Sequence, residues 1–333
     1  MSRVGIIANP ASGKDIRRLV AYGTVIDNEE KVNIAKRVIL GMVSMGIKEI
    51  FIMPDTFGIG DKAIYQLKKR KSIDNQVKIL EMTIEGSQND STKAANLMKE
   101  KGVKCIVTLG GDGTNRAVSK GCGGVPLIPI STGTNNVFPR FMEGTYAGIA
   151  AGLIAGWPED KELFVVNKRL VVVKNGKKVD SALIDAVVSR EIFIGARAVW
   201  DMEKVTQIII TRGEPTNIGL SSIGGYLYPI KWDEPKGLYI EIGNNLTVRA
   251  PIAPGIVKEV GIKKYTVLNI GDKVEVKTKP CTIALDGERE VEFTQNDKGY
   301  IMLDTGGPRV VDVKKTLLKG VKNRIFIKER EEI

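Results

Sequence analysis

The chain has 333 residues, of which 43% are hydrophobic and 27% charged, and its formal net charge is +11. This length allows two domains with sizeable cores, and no apolar stretch is long enough to span a bilayer. The chain contains no histidine, which excludes Ser-His-Asp and Cys-His catalysis as well as imidazole metal ligands. Any acid–base chemistry must therefore rest on carboxylates, lysine or water.

Cysteine usage and charge pattern indicate a cytoplasmic protein without a nucleic-acid partner. Cys105, Cys122 and Cys281 are widely spaced and odd in number, which argues against a disulfide framework or a zinc site. The chain passes from Met1 directly into the apolar run Val4-Gly5-Ile6-Ile7, without the pattern of a signal peptide. The basic residues are scattered among acidic ones and are not interleaved with aromatic residues, unlike a nucleic-acid-binding stripe.

The first part of the chain alternates strand-like and helix-like patterns. Short apolar runs predict strands, and apolar residues at helical spacing predict helices between them. The predicted strands are 4–8, 49–53, 77–82, 103–109 and 126–130, and the predicted helices are 28–45, 61–69, 88–101, 115–120 and 145–155. This alternation predicts a parallel, doubly wound sheet covered on both faces, whose ligands bind beyond the carboxyl ends of its strands.

From about residue 162 the pattern changes to short β-branched runs separated by turn residues, which predicts an all-β domain built as a sandwich or distorted barrel. The predicted strands are 170–173, 179–188, 192–194, 208–210, 238–242, 247–250, 265–270, 273–276, 281–285 and 300–304. A glycine- and serine-rich interruption, 213–225, is predicted to face the cleft between the domains. The predicted organisation is an α/β N-terminal domain (1–140), a connecting helix (141–160), an all-β C-terminal sandwich domain (161–312) and a tail (313–333) whose packing the sequence leaves open.

A glycine-rich turn follows the fourth predicted strand, with the sequence Gly110-Gly111-Asp112-Gly113-Thr114. A strand that ends in glycines lets a backbone or a phosphate approach closely, and the N-terminus of the next helix offers free N–H groups. Asp112 is predicted at the rim of this turn, where it can hold a cation or accept a proton. Taken alone, however, such a cluster is more typical of an ordinary strand-to-helix turn.

Two further loops are predicted at the same edge of the sheet. Asn9-Pro10-Ala11-Ser12-Gly13-Lys14 lacks the spacing of a Walker A motif, and by itself it fits an ordinary turn equally well. Ser131-Thr132-Gly133-Thr134-Asn135-Asn136 follows the fifth predicted strand. Three such loops together predict a polyphosphate cradle, with basic side chains nearby as plausible phosphate partners. The predicted phosphate-binding residues are Asn9, Ser12, Gly13, Lys14, Gly110, Gly111, Gly113, Thr114, Asn115, Gly133, Thr134 and Asn135, and the basic candidates besides Lys14 are Arg17, Arg116 and Arg140.

A second source of carboxylates is Leu285-Asp286-Gly287-Glu288-Arg289 in the predicted β domain. Asp-Gly is also a common hairpin turn. Phosphoryl transfer requires Mg²⁺ and backbone donors to neutralise charge, and a carboxylate to take the proton of the acceptor hydroxyl. This turn and Asp112 would therefore supply carboxylates from two sides of a cleft, with Asp112 and Asp286 as predicted metal ligands.

These motifs resemble those of the NAD kinase and diacylglycerol kinase superfamily. Gly-Gly-Asp-Gly-Thr at 110–114 resembles its signature. Asn-Pro-Ala-Ser-Gly before it, and Ser-Thr-Gly-Thr-Asn-Asn and Asp-Gly-Glu after it, occur in the matching order over nearly the whole chain. The opening residues, 6–15, look closest to the ATP-NAD kinase-like branch that includes the acetoin-catabolism protein X group. The resemblance implies an ATP- and Mg²⁺-dependent kinase, a homo-oligomer, a metal or proton role for Asp112 and a general-base role for Glu288. It thus implies that Asp112 and Glu288 are the catalytic residues.

The departures from the family pattern concern the acceptor. NAD kinases carry an Asn-Glu pair where this chain has Ile184-Asp185, and Gly219 stands where they carry a stacking tyrosine. By resemblance, Asp185, Ser221 and Ser222 are the predicted acceptor-binding residues. The acceptor is left open between NAD and a smaller metabolite. Two alternatives also remain, a lipid kinase, against which no polybasic cluster or amphipathic membrane helix is found, and a non-catalytic nucleotide-binding regulator.

Overall fold

The computed structural model describes residues 2–12, 21–24, 26–191 and 202–327, which form an α/β half followed by a β-rich half. The strands, numbered in chain order, are β1 (Arg3–Ala8), β2 (Glu49–Ile52), β3 (Val77–Ile79), β4 (Cys105–Gly110), β5 (Leu127–Ser131), β6 (Phe164–Val166), β7 (Arg169–Lys174), β8 (Lys177–Ala182), β9 (Asp185–Ser189), β10 (Val205–Ile210), β11 (Lys236–Ala253), β12 (Ile256–Asn269), β13 (Lys273–Glu275), β14 (Cys281–Leu285), β15 (Glu288–Phe293), β16 (Gly299–Asp304) and β17 (Arg309–Val311). The helices are α1 (Asn28–Ser44), α2 (Ile59–Lys69), α3 (Gln88–Glu100), α4 (Asp112–Gly121), α5 (Gly144–Gly156), α6 (Leu220–Leu227) and α7 (Val313–Lys322). The predicted strand at 192–194 lies outside the described residues.

The first sheet has seven strands in the order β3-β2-β1-β4-β5-β17-β6, and β1 to β5 are parallel to their neighbours. Helices cover both of its faces, so its strands are continuous apolar runs, and all six residues of β4 are buried. The chain first adds β2 and β3 on one side of β1 and then returns to add β4 on the other. The loops that follow β1 and β4 therefore emerge side by side at the switch point of the sheet, where α/β folds bind their ligands.

The β-rich half consists of two antiparallel sheets packed face to face. One has the order β12-β11-β10-β9-β14-β15 and the other the order β13-β16-β7-β8. A shared core of buried residues lies between them, to which Leu170 and Leu303 contribute from one sheet and Val188 and Ile283 from the other. The predicted fold class, an α/β domain with a parallel doubly wound sheet followed by an all-β sandwich domain, is confirmed.

One long strand replaces two predicted strands, 238–242 and 247–250. Gly243-Asn244-Asn245 has the composition of a turn, but the pairing of β11 with β12 resumes beyond it, with a register shift between Ile242 and Leu246. The two strands form a long ribbon, because a bulge absorbs the extra residues without ending the ladder.

Strand pairing also differs from the predicted domain organisation at two places. β17 pairs with β5 and β6, so residues 164–166 and 309–311 extend the first sheet although they fall within the predicted β domain. The chain crosses between the halves at two adjacent points, where Asn167 N donates to Pro308 O at 3.0 Å and Gly307 N to Asn167 O at 3.1 Å. The tail begins with α7, which packs on α5 of the first half.

Candidate active site

The loops that follow β1, β4 and β5 come together, as the three glycine- and hydroxyl-rich sequences predict. Asn9 Nδ2 donates to Thr114 Oγ1 at 2.9 Å, which joins the first loop to the start of α4. The hydroxyl oxygens of Ser12 and Thr132 are 3.1 Å apart and join the first loop to the third. Gly13, Lys14 and Arg17 lie outside the described residues.

The glycine turn is tighter than predicted, because α4 begins at Asp112 and not at residue 115. Gly111 caps the helix in an extended conformation, with φ −100° and ψ −167°. A Cβ atom at Gly110 would lie 2.5 Å from the Thr114 side chain, and one at Gly111 would lie 2.7 Å from Asn136 Oδ1. Position 110 therefore requires glycine, whereas a side chain at position 111 would displace the Asn136 amide. The first-turn N–H groups of α4 point to the space beyond the sheet, as an anion site requires.

Asp112 ties the start of α4 to the segment that follows the third loop. Its Oδ1 accepts hydrogen bonds from the backbone N–H groups of Phe138 at 2.8 Å and Val137 at 3.1 Å, and its Oδ2 also lies 3.1 Å from Val137 N. The carboxylate is partly buried and held in a fixed orientation beside the helix N-terminus. This placement suits a group that orients a cation or a phosphate.

Glu288 reaches the same place from the β domain. It begins β15, accepts a hydrogen bond from Gln88 Nε2 of α3, and its Oε1 would lie 3.2 Å from a Cβ atom at Gly113. The structure thus brings the two predicted catalytic carboxylates to the first turn of α4, one at its first residue and the other over its second. Gln88 was not predicted, because its partner lies 200 residues away in sequence.

Asp286 does not fit the metal role that the sequence predicts for it. Its carboxylate is fully buried, and its oxygens accept hydrogen bonds from the backbone N–H groups of Leu183, Ile184 and Asp185 at 2.7–3.2 Å. Burial raises the pKa of Asp286, while Arg116 and these backbone donors lower it. Asp286 has φ +51° and the following glycine φ +84°, as in a two-residue hairpin turn. The residue is therefore a structural carboxylate.

Arg116 and Asn115 are also structural. The Arg116 side chain is 1% exposed and pairs with Glu290 at 2.8 Å and Asp180 at 3.2 Å, so it joins α4 to the β domain and is not available to a phosphate. Asn115 accepts a hydrogen bond from Thr108 Oγ1 at 2.7 Å and donates to Gly111 O at 2.9 Å. The Asn115 side-chain amide thus links strand β4 to the backbone of the glycine turn.

The remaining predicted phosphate-binding residues lie on the third loop. Ser131 Oγ donates to Gly133 O at 2.8 Å, and Thr134 Oγ1 accepts a hydrogen bond from Thr24 N at 3.0 Å. Asn135 Oδ1 has no hydrogen-bond partner within the described residues. Hydroxyl hydrogen bonds thus hold the loop, and one buried amide oxygen has no partner within the described residues.

The predicted acceptor-binding residues are all buried. Ser222 Oγ donates to the carbonyl groups of Gly219 at 2.6 Å and Pro251 at 3.1 Å, so its hydroxyl is used in structural hydrogen bonds to the backbone. Ser221 is 1% exposed and Asp185 8%. Ile184, which stands where NAD kinases carry an amide, packs into a small buried cluster with Leu183 and Phe138.

Two cationic side chains at the site were missed by sequence reasoning. Lys31 is 1% exposed, and its Nζ donates to the carbonyl groups of Asn9 at 3.0 Å and Ser12 at 2.8 Å, which fixes the first loop. Arg212 is 6% exposed and donates to Asn167 Oδ1 at 2.7 Å. Burial lowers the pKa of Arg212 to about 10, although nearby Asp112 opposes this. Charged residues usually mark a surface, so no sequence pattern indicates that these two are buried.

The donor set is compatible with Mg²⁺ but not with a metal held by protein alone. Among the described residues, no group of three or more His, Cys, Asp or Glu side chains could hold a metal ion. Mg²⁺ is usually bound by one or two carboxylates together with substrate phosphates and water. Asp112 and Glu288, which flank the first turn of α4, match that pattern.

Two family models match this chain, one in the α/β half and one in the β-rich half. A family model described as the ATP-NAD kinase N-terminal domain matches residues 4–157, and one described as the acetoin catabolism protein X C-terminal domain matches residues 168–306. Two solved structures from Bacillus anthracis str. Sterne, described as a candidate diacylglycerol kinase, align at TM-scores of 0.43 and 0.42 and identities of 15% and 16%. They cover 93% of this chain, and it covers 96% and 98% of theirs.

No helix within the described residues is long and apolar enough to cross a membrane.

Acetoin catabolism protein X of Cupriavidus necator is 38% identical over 322 residues, which are 93% of this chain and 90% of that protein. At this identity over almost its full length, the chain belongs to the acetoin catabolism protein X family, within the superfamily of NAD kinase-like kinases.

Proposed function

We propose that the protein transfers the γ-phosphoryl group of ATP to a hydroxyl group of a soluble acceptor. The observation that carries this proposal is the convergence of three loops on the N-terminus of α4, with Glu288 of the β domain facing it. Phosphoryl transfer depends mainly on positioning and charge stabilisation, which backbone N–H groups at a helix start supply.

Backbone groups form the part of the site that would bind the phosphates of ATP. Gly110, Gly111 and Gly113 bring the chain close to the phosphates without side chains in the way, and Asn9 fixes the hydroxyl of Thr114. Bound Mg²⁺ would neutralise phosphate charge. Asp112, oriented by two backbone N–H groups, is the residue that would hold it.

Glu288 is the group that takes the proton of the acceptor hydroxyl. The new bond forms between the acceptor oxygen and the γ-phosphorus as the bond to the β–γ bridging oxygen breaks, and ADP leaves. Gln88 holds the Glu288 carboxylate beside Gly113, next to the proposed phosphate position. A general base must lie within hydrogen-bond reach of the proton that it removes, and an acceptor hydroxyl bound between Gly113 and Glu288 would meet that requirement.

The packing of Ile184 favours an acceptor smaller than NAD. Its side chain is 1% exposed and contacts Leu183 and Phe138, so it neither reads an adenine ring nor leaves a space for one. NAD nevertheless remains the comparison substrate, because the family model that matches the N-terminal half is that of an ATP-NAD kinase. The acceptor that we propose is a small hydroxyl-bearing metabolite.

ADP release, measured with ATP and Mg²⁺ in the presence of NAD, diacylglycerol, ketols or polyols, tests this function. We expect turnover with a ketol or polyol that falls at least about 100-fold in Glu288→Gln, since general-base catalysis typically contributes 10²–10⁴-fold. Glu292→Gln is the matched control, because Glu292 lies on the same strand and is exposed. Turnover with diacylglycerol alone would instead indicate a lipid kinase, and tight ATP binding without turnover on any acceptor would indicate a regulator.

A further inference from the structure

We propose that Arg212 and Arg140 form a second oxyanion site, which binds a phosphate group between the two domains on the Asp112 side of the cleft. Arg212 follows β10 of the β domain, and Arg140 follows the third loop of the α/β domain. The phosphate would be the γ-phosphate of the donor or a phosphate carried by the acceptor, an assignment that rests on the proposed kinase function.

Arg212 is a buried cation with an unused donor. Its Nη2 donates to Asn167 Oδ1, and its guanidinium carbon lies 5.5 Å from the centre of the Phe138 ring. Its Nε is buried and has no hydrogen-bond partner within the described residues. Buried N–H groups without an acceptor are rare in folded proteins, so an oxygen-rich ligand is the expected partner.

Arg212 has no ion pair within 4.0 Å among the described residues, and the carboxylates of Asp112, Glu214 and Asp286, which raise its pKa, lie farther away. Within the described residues, the ion pairs closer than 4.0 Å include none with Arg212 or with its buried neighbour Lys168, whose Nζ donates only to the carbonyl groups of Lys231 and Lys236. Burial and, to a smaller extent, the charge of Arg212 lower the pKa of Lys168 to about 8. Among the described residues, two cations thus lie at the crossing between the domains without a carboxylate within 4.0 Å of either.

Arg116 shows how this protein neutralises a buried arginine when no ligand is involved. Its Nε likewise has no hydrogen-bond partner within the described residues, but its guanidinium has Glu290 at 2.8 Å, Asp180 at 3.2 Å and, facing Nε, Asp286 at 3.8 Å. An uncompensated buried charge is strongly destabilising, and the fold removes that cost at one arginine and leaves it at the other. A ligand that carries negative charge would remove it at Arg212.

Arg140 supplies the second positively charged side chain of the site. Its side chain is exposed, its guanidinium carbon lies 5.6 Å from the centre of the Trp232 ring, and its positive charge lowers the pKa of Arg212. Because Arg212 packs against Phe138, which lies two residues before Arg140, the two arginines approach each other from different domains. A phosphate between them would hold the domains together while Asp112 and Glu288 face the reacting groups.

Inorganic phosphate, titrated into the full-length protein by isothermal calorimetry, tests this site. We expect Arg212→Gln to weaken phosphate binding by about tenfold or more and Arg140→Gln by about threefold or more, since each removes charge-assisted hydrogen bonds. Arg249→Gln is the matched control, because Arg249 lies on the β11–β12 ribbon and its side chain is 74% exposed. Absence of phosphate binding by the wild type, or unchanged binding in Arg140→Gln, would overturn the proposal even if Arg212→Gln failed to fold.

Nucleotide titrations identify the source of the phosphate. If it is the γ-phosphate, the Arg212→Gln and Arg140→Gln proteins lose affinity for ATP but not for ADP. If the acceptor carries it, nucleotide affinities stay unchanged, and the ATP-saturated wild type still binds inorganic phosphate, which the variants do not. A wild type that binds phosphate through these arginines but never binds ATP would contradict the proposed kinase function and leave the oxyanion site standing.

Discussion

The replacement Asp286→Asn separates a structural carboxylate from a metal ligand. Asp286 Oδ1 accepts hydrogen bonds from Leu183, Ile184 and Asp185, and Oδ2 accepts a second bond from Leu183 at 2.9 Å and lies 3.8 Å from Arg116 Nε. An asparagine keeps one acceptor oxygen. Its NH₂ group, placed at Oδ2, would face a backbone donor and a guanidinium.

The expected loss follows from these contacts. The bond from Leu183 to Oδ2 is charge-assisted, and losing such a bond costs about 1.5–3 kcal/mol. Removing one partner of a buried ion pair costs about 3–5 kcal/mol in all, and Arg116 keeps Glu290 and Asp180, which places the expected loss near the lower value. We therefore expect the free energy of unfolding to fall by about 3 kcal/mol.

Urea denaturation followed by circular dichroism, with and without MgCl₂, measures this loss. A structural role predicts the same destabilisation in both conditions, whereas a metal ligand would give wild-type stability without Mg²⁺ and a loss of Mg²⁺-dependent stabilisation. Asp74→Asn is the control, because Asp74 is exposed and makes no ion pair within the described residues. A loss below about 1 kcal/mol without Mg²⁺ would refute the structural assignment of Asp286.

Three further outcomes are expected. Gly110→Ala places Cβ 2.5 Å from the Thr114 side chain, so calorimetry should find ATP binding weakened about tenfold or more, and unchanged affinity would contradict the tight-turn interpretation. Gly148→Ala places Cβ 2.1 Å from a backbone oxygen of α1 and should cost about 1–3 kcal/mol in urea denaturation, whereas Gly156→Ala, with nothing within 4 Å, should not destabilise the protein. Because the folded-state pKa of Lys168, about 8, lies below its ordinary value of 10.5, the unfolded state binds more protons between these values. The stability of the wild type relative to Lys168→Met should therefore rise with pH across that window, and parallel pH profiles of the two proteins would contradict the burial of a charged Lys168.

The parts of the site that the sequence predicts are those built from local backbone. β4 is apolar except for Thr108 because both of its faces are buried, and glycine stands at 110 because the Thr114 side chain leaves no room for a Cβ atom. Both causes act within one strand–turn–helix unit and therefore leave a pattern in consecutive residues. The three loops meet because parallel strands align their carboxyl ends.

Distant partners decide the roles that the sequence predicts wrongly. The sequence predicts Asp286 as a metal ligand, but its carboxylate oxygens accept hydrogen bonds from backbone N–H groups about a hundred residues away. It also predicts Arg116 as a phosphate partner, but the Arg116 guanidinium pairs with Glu290. The pairing of β17 with β6 is equally non-local. A residue type indicates which bonds a side chain can make, and only the fold decides which of them are already made.

Asp286 and Arg212 are connected through the backbone that lies between them. Asp286 holds the N–H of Leu183, the Leu183 carbonyl accepts a hydrogen bond from Thr211 Oγ1 at 2.7 Å, and Thr211 precedes Arg212. The Asp-Gly turn that brings Glu288 toward the donor phosphates thus also fixes the segment that carries the unpaired arginine. If both proposals hold, Asp286→Asn should weaken phosphate binding through Arg212 although Asp286 contacts no ligand, because a guanidinium binds a phosphate well only when its position is fixed.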